Sequence, residues 1–397
     1  MMKKMFLILI VLCGAASFAQ ENKIFVVNKL IETVKHQFAP DKRVAVFQVK
    51  ANDNCEIISL TGETNIADAK EKLLAEIKSA GIKIINEIKL LPADELEGKI
   101  YGLVNLSVAN NRTKPGHAEE LTTQTLLGTP VKILKFAGGN FLVQTPDLYI
   151  SWVEDDGITP LTRQEFDAWL KEEKIVYLKE FGFSYSKPNE NSIRVSDLVA
   201  GNILVKIGDE GNFAKVKFPD GRTAFVEKEF CMNYKSWIER KMPTTADIIS
   251  TAEKFMGVPY LWGGTSSKGM DCSGFTKTVY FLNGIVLERD ASQQVNNGAL
   301  VNTQNGFGNL QAGDLLFFGT HATDSTKERI THVGIYYGNY EYIHAAGRIK
   351  INSFDKNTEN FSEFRLKNFI RAKRILNSVD KNGIISVKNH KFYLGDF

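Results

Sequence analysis

The stretch YLWGGTSSKGMDCSGFTKTVYFL, residues 260 to 282, sets one cysteine where a glycine- and serine-rich loop turns helix-like. Downstream of Cys272, Phe275, Val279 and Leu282 recur at helical spacing, so a helix is expected to begin near Ser273 and bury that face. Cys272 then stands at a helix N-terminus, where unpaired N–H groups and the macrodipole favour thiolate over thiol. The same N–H groups can face a developing oxyanion. Position alone leaves four readings open: buried filler, disulfide partner, metal ligand or nucleophile.

A nucleophile needs a base, and THVGIYYGNYEYIHAAG, residues 331 to 347, offers two imidazoles. Two β-like runs flank Gly338-Asn339, a hairpin signal. In a hairpin centred on Gly338, His332 lies directly opposite His344 on one face, with Cβ atoms ~5 Å apart. This register requires an odd-numbered loop or a bulge. One imidazole can then act as base while the other orients it, with His332 taking the Cys272 proton and His344 holding its tautomer. A zinc site of the same three residues lacks a fourth ligand with recognisable spacing. His36, His117, His321 and His390 fall outside this constellation and read as surface residues. Asp314, in QAGDLLFF, reads as a turn residue before a strand.

The rest of the chain sets the context. Its 397 residues suffice for two to four domains, and 43% hydrophobic and 24% charged residues are ordinary for a globular protein. A net charge of +3, from 49 basic and 46 acidic residues, gives no footprint for nucleic acid. At the N-terminus, MMKKMFLILIVLCGAASFAQE reads as a secretory signal peptide over residues 1–19: a lysine pair, a short apolar run, then small residues allowing cleavage after Ala19. No other apolar run approaches the ~18 residues of a membrane span. The expectation is an exported protein, periplasmic or secreted, with no stable membrane insertion after cleavage. Cys55, Cys231 and Cys272 would then remain, an odd number; Cys55 and Cys231 are either bridged or buried fillers. Nothing in the sequence sets an oligomeric state.

Residues 24–107 alternate short β-like runs around IADAKEKLLAEIKSAG, whose apolar residues keep helical spacing up to the stop at Gly81. They read as a small α/β unit. Residues 108–158 break into short apolar runs separated by Gly-Gly, Pro-Asp and Asp-Gly, the texture of a small β-barrel. A connecting helix is expected within 159–177. A second passage of barrel texture follows over 178–240, so a weak internal duplication is expected. Residues 244–376 form the third region, opening with a helix capped by Thr245. The tail, 377–397, carries no signal.

With these residues in view, YLWGGTSSKGMDCSGF, RDASQQ, QAGDLLFF and HVGIYYGNYEYIHA together resemble the NlpC-type family of papain-like cysteine peptidases that cut bacterial peptidoglycan. NRTKPGHAEELTTQTLLGTPVKIL, YISWV, DLVAGNILVK and FPDGRTAFV resemble the tandem SH3-like barrels of its γ-D-glutamyl-L-diamino-acid endopeptidases. The resemblance implies an α+β multidomain protein: a papain-like catalytic domain preceded by two small SH3-like β-barrels and a small α/β unit. It implies Cys272 as nucleophile, His332 as base and His344 as third polar residue, with no metal or cofactor. The implied substrates are peptidoglycan-derived peptides with a free N-terminal L-Ala, cut between γ-D-Glu and the diamino acid. In such enzymes the first barrel leans over the active site and helps hold the amine. Carried over, that role falls to Glu120, with Glu119 one register step away, and to Tyr149. Tyr260 and Asp271 come from the loop before the nucleophile, and Ser273 and Ser292 bind substrate polar groups. An ammonium entering such a site needs a carboxylate partner, because burying it unpaired costs several kcal/mol. Glycan cleavage would need two placed carboxylates, which no motif here identifies. The same mechanism on another acyl bond, in an amidase or a hydrolase of intact wall, is one alternative. A wall-binding protein with an inactive peptidase domain is another.

Overall fold

The computed structural model describes residues 23–53, 57–381 and 383–397, which separate into two units at Glu97/Gly98. The signal-peptide reading and Cys55 lie outside the described residues. In the first unit, strands Phe47–Asp53 and Ile58–Thr64 pair antiparallel, and Ile84–Leu90 adds in parallel to the second. A parallel neighbour needs a crossover, and helix Ala67–Ser79 supplies it, burying Ala69, Leu73 and Ile77. A further helix runs through residues 23–38 and puts Val27, Ile31 and Val34 into the same core.

The boundary at Glu97 precedes the expected one at 107. Strand Tyr101–Val104 pairs with Pro130–Ala137 and so belongs to the first barrel. That barrel is a seven-stranded sheet running from Tyr101 to Leu161. A second seven-stranded sheet runs from Lys174 to Asn233. Numbering the strands of each in chain order gives one spatial order for both: seventh, first, fourth, fifth, sixth, second, third. The duplication that is weak in sequence is therefore explicit in topology. The connecting helix is shorter than expected, spanning Arg163–Lys171. Thr162 and Glu165 close a capping box at its start. Beyond it the β-branched run KIVY leaves the helix to open the second barrel.

The third region holds a six-stranded antiparallel sheet, in the order Ala299–Val301, Phe369–Arg374, Leu315–Thr320, Arg329–Gly338, Glu341–Ala346, Arg348–Ser353. Helix Cys272–Leu282 packs on it through Phe275 and Val279, both fully buried against Phe317, Val333, Ile335 and Ile343. Each such side chain contributes roughly 1.5–3 kcal/mol relative to exposure. The region's first helix, Thr245–Glu253, is capped by Thr244 rather than Thr245, because the Thr244 hydroxyl accepts from the Asp247 N–H and Asp247 reaches back. Asp314 does sit in a turn, accepting from the Gln311 N–H, and it also forms a two-point ion pair with Arg374.

The tail is structured. Ile385–Ser386 pairs with Ile285–Val286. Phe397 stacks on Phe392 at 4.2 Å between ring centroids and meets Phe166 at 5.6 Å. His390 is 3% exposed, contrary to the surface reading; burial pushes its pKa down to about 4, and its Nδ1 accepts from the Phe392 N–H. Among the described residues no helix is long and apolar enough to cross a membrane.

Candidate active site

Cys272 is the first residue of its helix, and Asp271 is the N-cap, accepting from the Gly274 N–H at 2.7 Å. Glycines make this turn possible. A Cβ on Gly274 would come within 2.0 Å of the Gly264 carbonyl oxygen, so loop and helix start can approach only because Gly274 is bare. The thiol is almost fully buried, and burial pushes its pKa up to about 11, with the Asp271 carboxylate adding in the same direction. Backbone hydrogen bonds from Val333 and Ser273 oppose this without reversing it. The expected preference for thiolate is therefore overturned in the resting site: desolvation outweighs the helix terminus.

His332 and His344 meet as expected, by a different register. The turn is Asn339-Tyr340, both at positive φ, and Tyr337 is an extra residue in the ladder. This pairs Ile335 with Ile343 and sets His344 across from Gly334 instead of His332. A Cβ at Gly334 would stand 3.1 Å from the His344 Cβ, so the glycine opens room for a diagonal contact. His332 Nε2 lies 2.7 Å from His344 Nδ1.

Two further residues decide which nitrogen carries which proton. The Asn352 amide donates to the Asn360 carbonyl at 2.8 Å, which turns its oxygen towards His344 Nε2 at 2.9 Å. His344 must then donate from Nε2 and accept at Nδ1, so His332 donates from Nε2. The lone pair of His332 is left on Nδ1. Burial lowers the pKa of both rings, His332 well below its ordinary value and His344 to about 4, and the Arg365 charge adds to this. Both are neutral at pH 7. Asn352 has no signal in the sequence, because its strand lies in the next hairpin and no spacing ties it to the histidines.

Asp271 carries more than the cap. Its two oxygens accept from the Gly263 and Gly274 N–H groups, the Ser273 hydroxyl and both ends of the Arg289 guanidinium. Arg289 is 1% exposed and also donates to Ser273 Oγ at 3.0 Å. An uncompensated charge here would be costly, and the two-point pairing is what makes both groups tolerable. Arg289 lies in RDASQQ but was given no role by sequence; only a buried partner reveals it. Ser292 is half-buried on the short helix Ala291–Gln294 that follows.

The first barrel reaches this loop directly. Gln124 accepts from the Thr265 N–H at 3.0 Å and the Ser266 hydroxyl at 3.1 Å. Buried Asp147 pairs with Lys277 on the nucleophile helix. The Trp262 indole donates to Glu120 Oε1 at 2.9 Å, so Glu120 and not Glu119 faces the loop before Cys272. Tyr149 is 8% exposed and acts electrostatically on Arg289. Tyr260 is half-buried, its pKa raised by burial and by the neighbouring Cys272 and Asp271. Cys231 is a free thiol that donates to the Glu227 carbonyl at 3.4 Å.

Known proteins share these features. The profile of the NlpC/P60 family matches residues 257–368, and that of the bacterial dipeptidyl-peptidase Sh3 domain matches 111–158. A gamma-D-glutamyl-L-lysine dipeptidyl-peptidase of Bacillus cereus is 30% identical over 243 residues, covering 58% of this chain and 68% of that protein. Its Bacillus subtilis counterpart is 34% identical over 43% of this chain and 53% of its own length. Dipeptidyl-peptidase 6 of Lysinibacillus sphaericus is 26% identical over 64% of this chain and 92% of its own. A crystal structure of an NlpC/P60 family protein from Bacillus cereus superposes with a TM-score of 0.60 and 25% identity, covering 70% of this chain and 99% of that one. The family profile spans Cys272, His332 and His344 together, and the likeness extends through the first barrel: the chain belongs to the NlpC/P60 family of cysteine peptidases.

Proposed function

We propose that this protein is an exported cysteine endopeptidase that hydrolyses the γ-D-glutamyl–diamino acid bond of peptidoglycan stem peptides whose L-Ala amine is free. In the first step His332 Nδ1 takes the Cys272 proton as sulfur attacks the γ-carbonyl of D-Glu. His344 and Asn352 hold His332 in the tautomer that can accept it. The Tyr260 hydroxyl and the N–H at the helix start supply donors for the oxyanion. Collapse breaks the C–N bond, and the leaving amine takes the proton from His332. Water then attacks the thioester with His332 again as base, releasing the acyl dipeptide and restoring the thiol.

The observation that carries the substrate reading is the placement of Glu120, drawn by Trp262 from the first barrel to the loop preceding the nucleophile. One carboxylate oxygen binds the indole; the other has no partner among the described residues. Glu120 thus supplies the ammonium's counter-charge, and Tyr149 is the second barrel residue assigned to that end of the substrate. Asp271 would serve the substrate through position, since its oxygens are filled and its charge offset by Arg289 and the loop. Ser273 and Ser292 line the D-Glu side. The names of the Bacillus relatives point to the same bond.

A charge-assisted hydrogen bond is worth ~1.5–3 kcal/mol, roughly ten- to a hundred-fold in specificity. The free tripeptide L-Ala-γ-D-Glu-diaminopimelate should therefore exceed its N-acetyl form in kcat/KM by at least that factor. Glu120→Gln should erode the preference by slowing the free-amine substrate alone. A wild-type ratio near one would remove the amine site and favour a hydrolase of intact wall.

A further inference from the structure

Arg289 is committed to Asp271, whereas a second guanidinium beside the site is not. Arg365 is the third residue of the short helix Glu363–Lys367, where its backbone N–H is capped by Ser362. Its guanidinium carbon stands 5.5 Å from the centre of the Phe318 ring and 5.3 Å from that of Phe364. Phe318 in turn packs on the His332 ring at 5.7 Å, and the two residues are cross-strand partners. Stacking on two rings takes the group partly out of water, and its charge is felt at Cys272, Tyr260 and Tyr342 as well as at both histidines. No carboxylate among the described residues pairs with it. A guanidinium held between aromatic rings, with its fork unfilled, is available to a bidentate anion.

The charges on the two arms of the site also differ in sign. The barrel arm carries Glu120, the Asp271 charge being offset by Arg289, while the sheet arm carries Arg365. His332 returns its proton to the leaving amine, so the leaving residue must lie against His332 and hence beside Phe318. When that residue ends the peptide, its α-carboxylate is attached to the carbon bearing the scissile nitrogen.

We infer that Arg365 is a specificity residue that binds a substrate carboxylate flanking the scissile bond, the α-carboxylate of a C-terminal leaving residue, so that the site selects short peptides free at both ends. This inference rests on the proposed bond specificity and adds the leaving side to it. The D-Glu α-carboxylate, on the other side of the bond, is the second source of the same chemistry.

The test compares three tripeptides: the unmodified one, one amidated at the leaving residue's α-carboxyl and one amidated at the D-Glu α-carboxyl. Each is assayed with wild type, Arg365→Gln and Arg365→Lys, alongside the rate of Cys272 alkylation by iodoacetamide. The expected result is a loss of roughly ten- to a hundred-fold in kcat/KM for Arg365→Gln on the unmodified peptide, mostly in KM. The loss should vanish on the peptide amidated at the leaving residue and persist on the other. Arg365→Lys, which keeps the charge, should recover part of it and alkylate at close to the wild-type rate. Loss of the effect only with the D-Glu amide would keep the carboxylate site but move it to the acyl side. Equal losses on all three peptides would overturn the inference in favour of a guanidinium that only tunes the cysteine–histidine pair. No effect on any peptide would overturn it outright. Failure of wild type to cut the unmodified tripeptide would instead refute the bond assignment on which it rests.

Discussion

Cys272→Ala should lower hydrolysis of the free tripeptide by on the order of 10⁴-fold or more, the scale on which a covalent nucleophile is lost. The side chain is small, so the cavity left is small and the fold should lose only about 1 kcal/mol. A melting curve and an activity assay on the same preparation check both halves. Retention of more than a few per cent of activity with native melting would mean that another group attacks. The resting protonation state gives an independent signature. With the thiol pushed up to about 11, chiefly by burial, and His332 kept well below its ordinary value, the resting pair is thiol and neutral imidazole at pH 7. The thiolate fraction then grows about tenfold per pH unit below that value, and iodoacetamide alkylation of wild type should rise steadily from pH 6 to 9. A rate already flat above pH 5 would instead indicate a thiolate–imidazolium pair. Because His332 stays neutral down to low pH, the acid limb of kcat/KM should fall below the ordinary histidine pKa of about 6.5.

The second large effect separates the two histidines. His332→Ala removes the group that moves the proton, a contribution of roughly 10²–10⁴. His344→Ala removes one hydrogen bond to the base, about ten- to a hundred-fold. His344→Gln should do better, since an amide oxygen can still accept from His332 Nε2. Asn352→Leu should resemble a mild His344 defect: without the amide, His344 is free to adopt the wrong tautomer. Steady-state kinetics of the four variants, each with its alkylation rate, order these effects. A larger loss at His344 than at His332 would reverse the assigned roles.

The parts of this site differ in how far the chain order reveals them. The parity of a strand pair is local, so His332 and His344 could be placed on one face from their spacing about Gly338-Asn339. Their register could not, because the extra residue at Tyr337 and the turn at Asn339-Tyr340 shift the pairing. Glu120 and Glu119 are equivalent in sequence and differ only by which one meets Trp262 across the domain contact. Asn352 and Arg289 take their roles from tertiary partners, so spacing does not single them out even where, as for Arg289, a motif contains them. A helix terminus alone favours thiolate, but burial of Cys272 reverses that preference. Strand Tyr101–Val104 is a short apolar run equally suited to the sheet before it and the barrel after it, which is why the boundary was misplaced. The tail's aromatics are too few and too scattered to show a period, yet Phe397 finds a tertiary site on Phe166 and Tyr101, with Phe392 stacked behind it.

The central claim is the bond that is cut, and product identification tests it most directly. The enzyme is incubated with L-Ala-γ-D-Glu-diaminopimelate and, separately, with whole sacculi, and the products are identified by mass spectrometry. The expected products of the tripeptide are the dipeptide L-Ala-γ-D-Glu and free diaminopimelate in equal amounts, with little released from sacculi. Release of L-Ala from the tripeptide, or efficient solubilisation of sacculi with the tripeptide left intact, would contradict the claim.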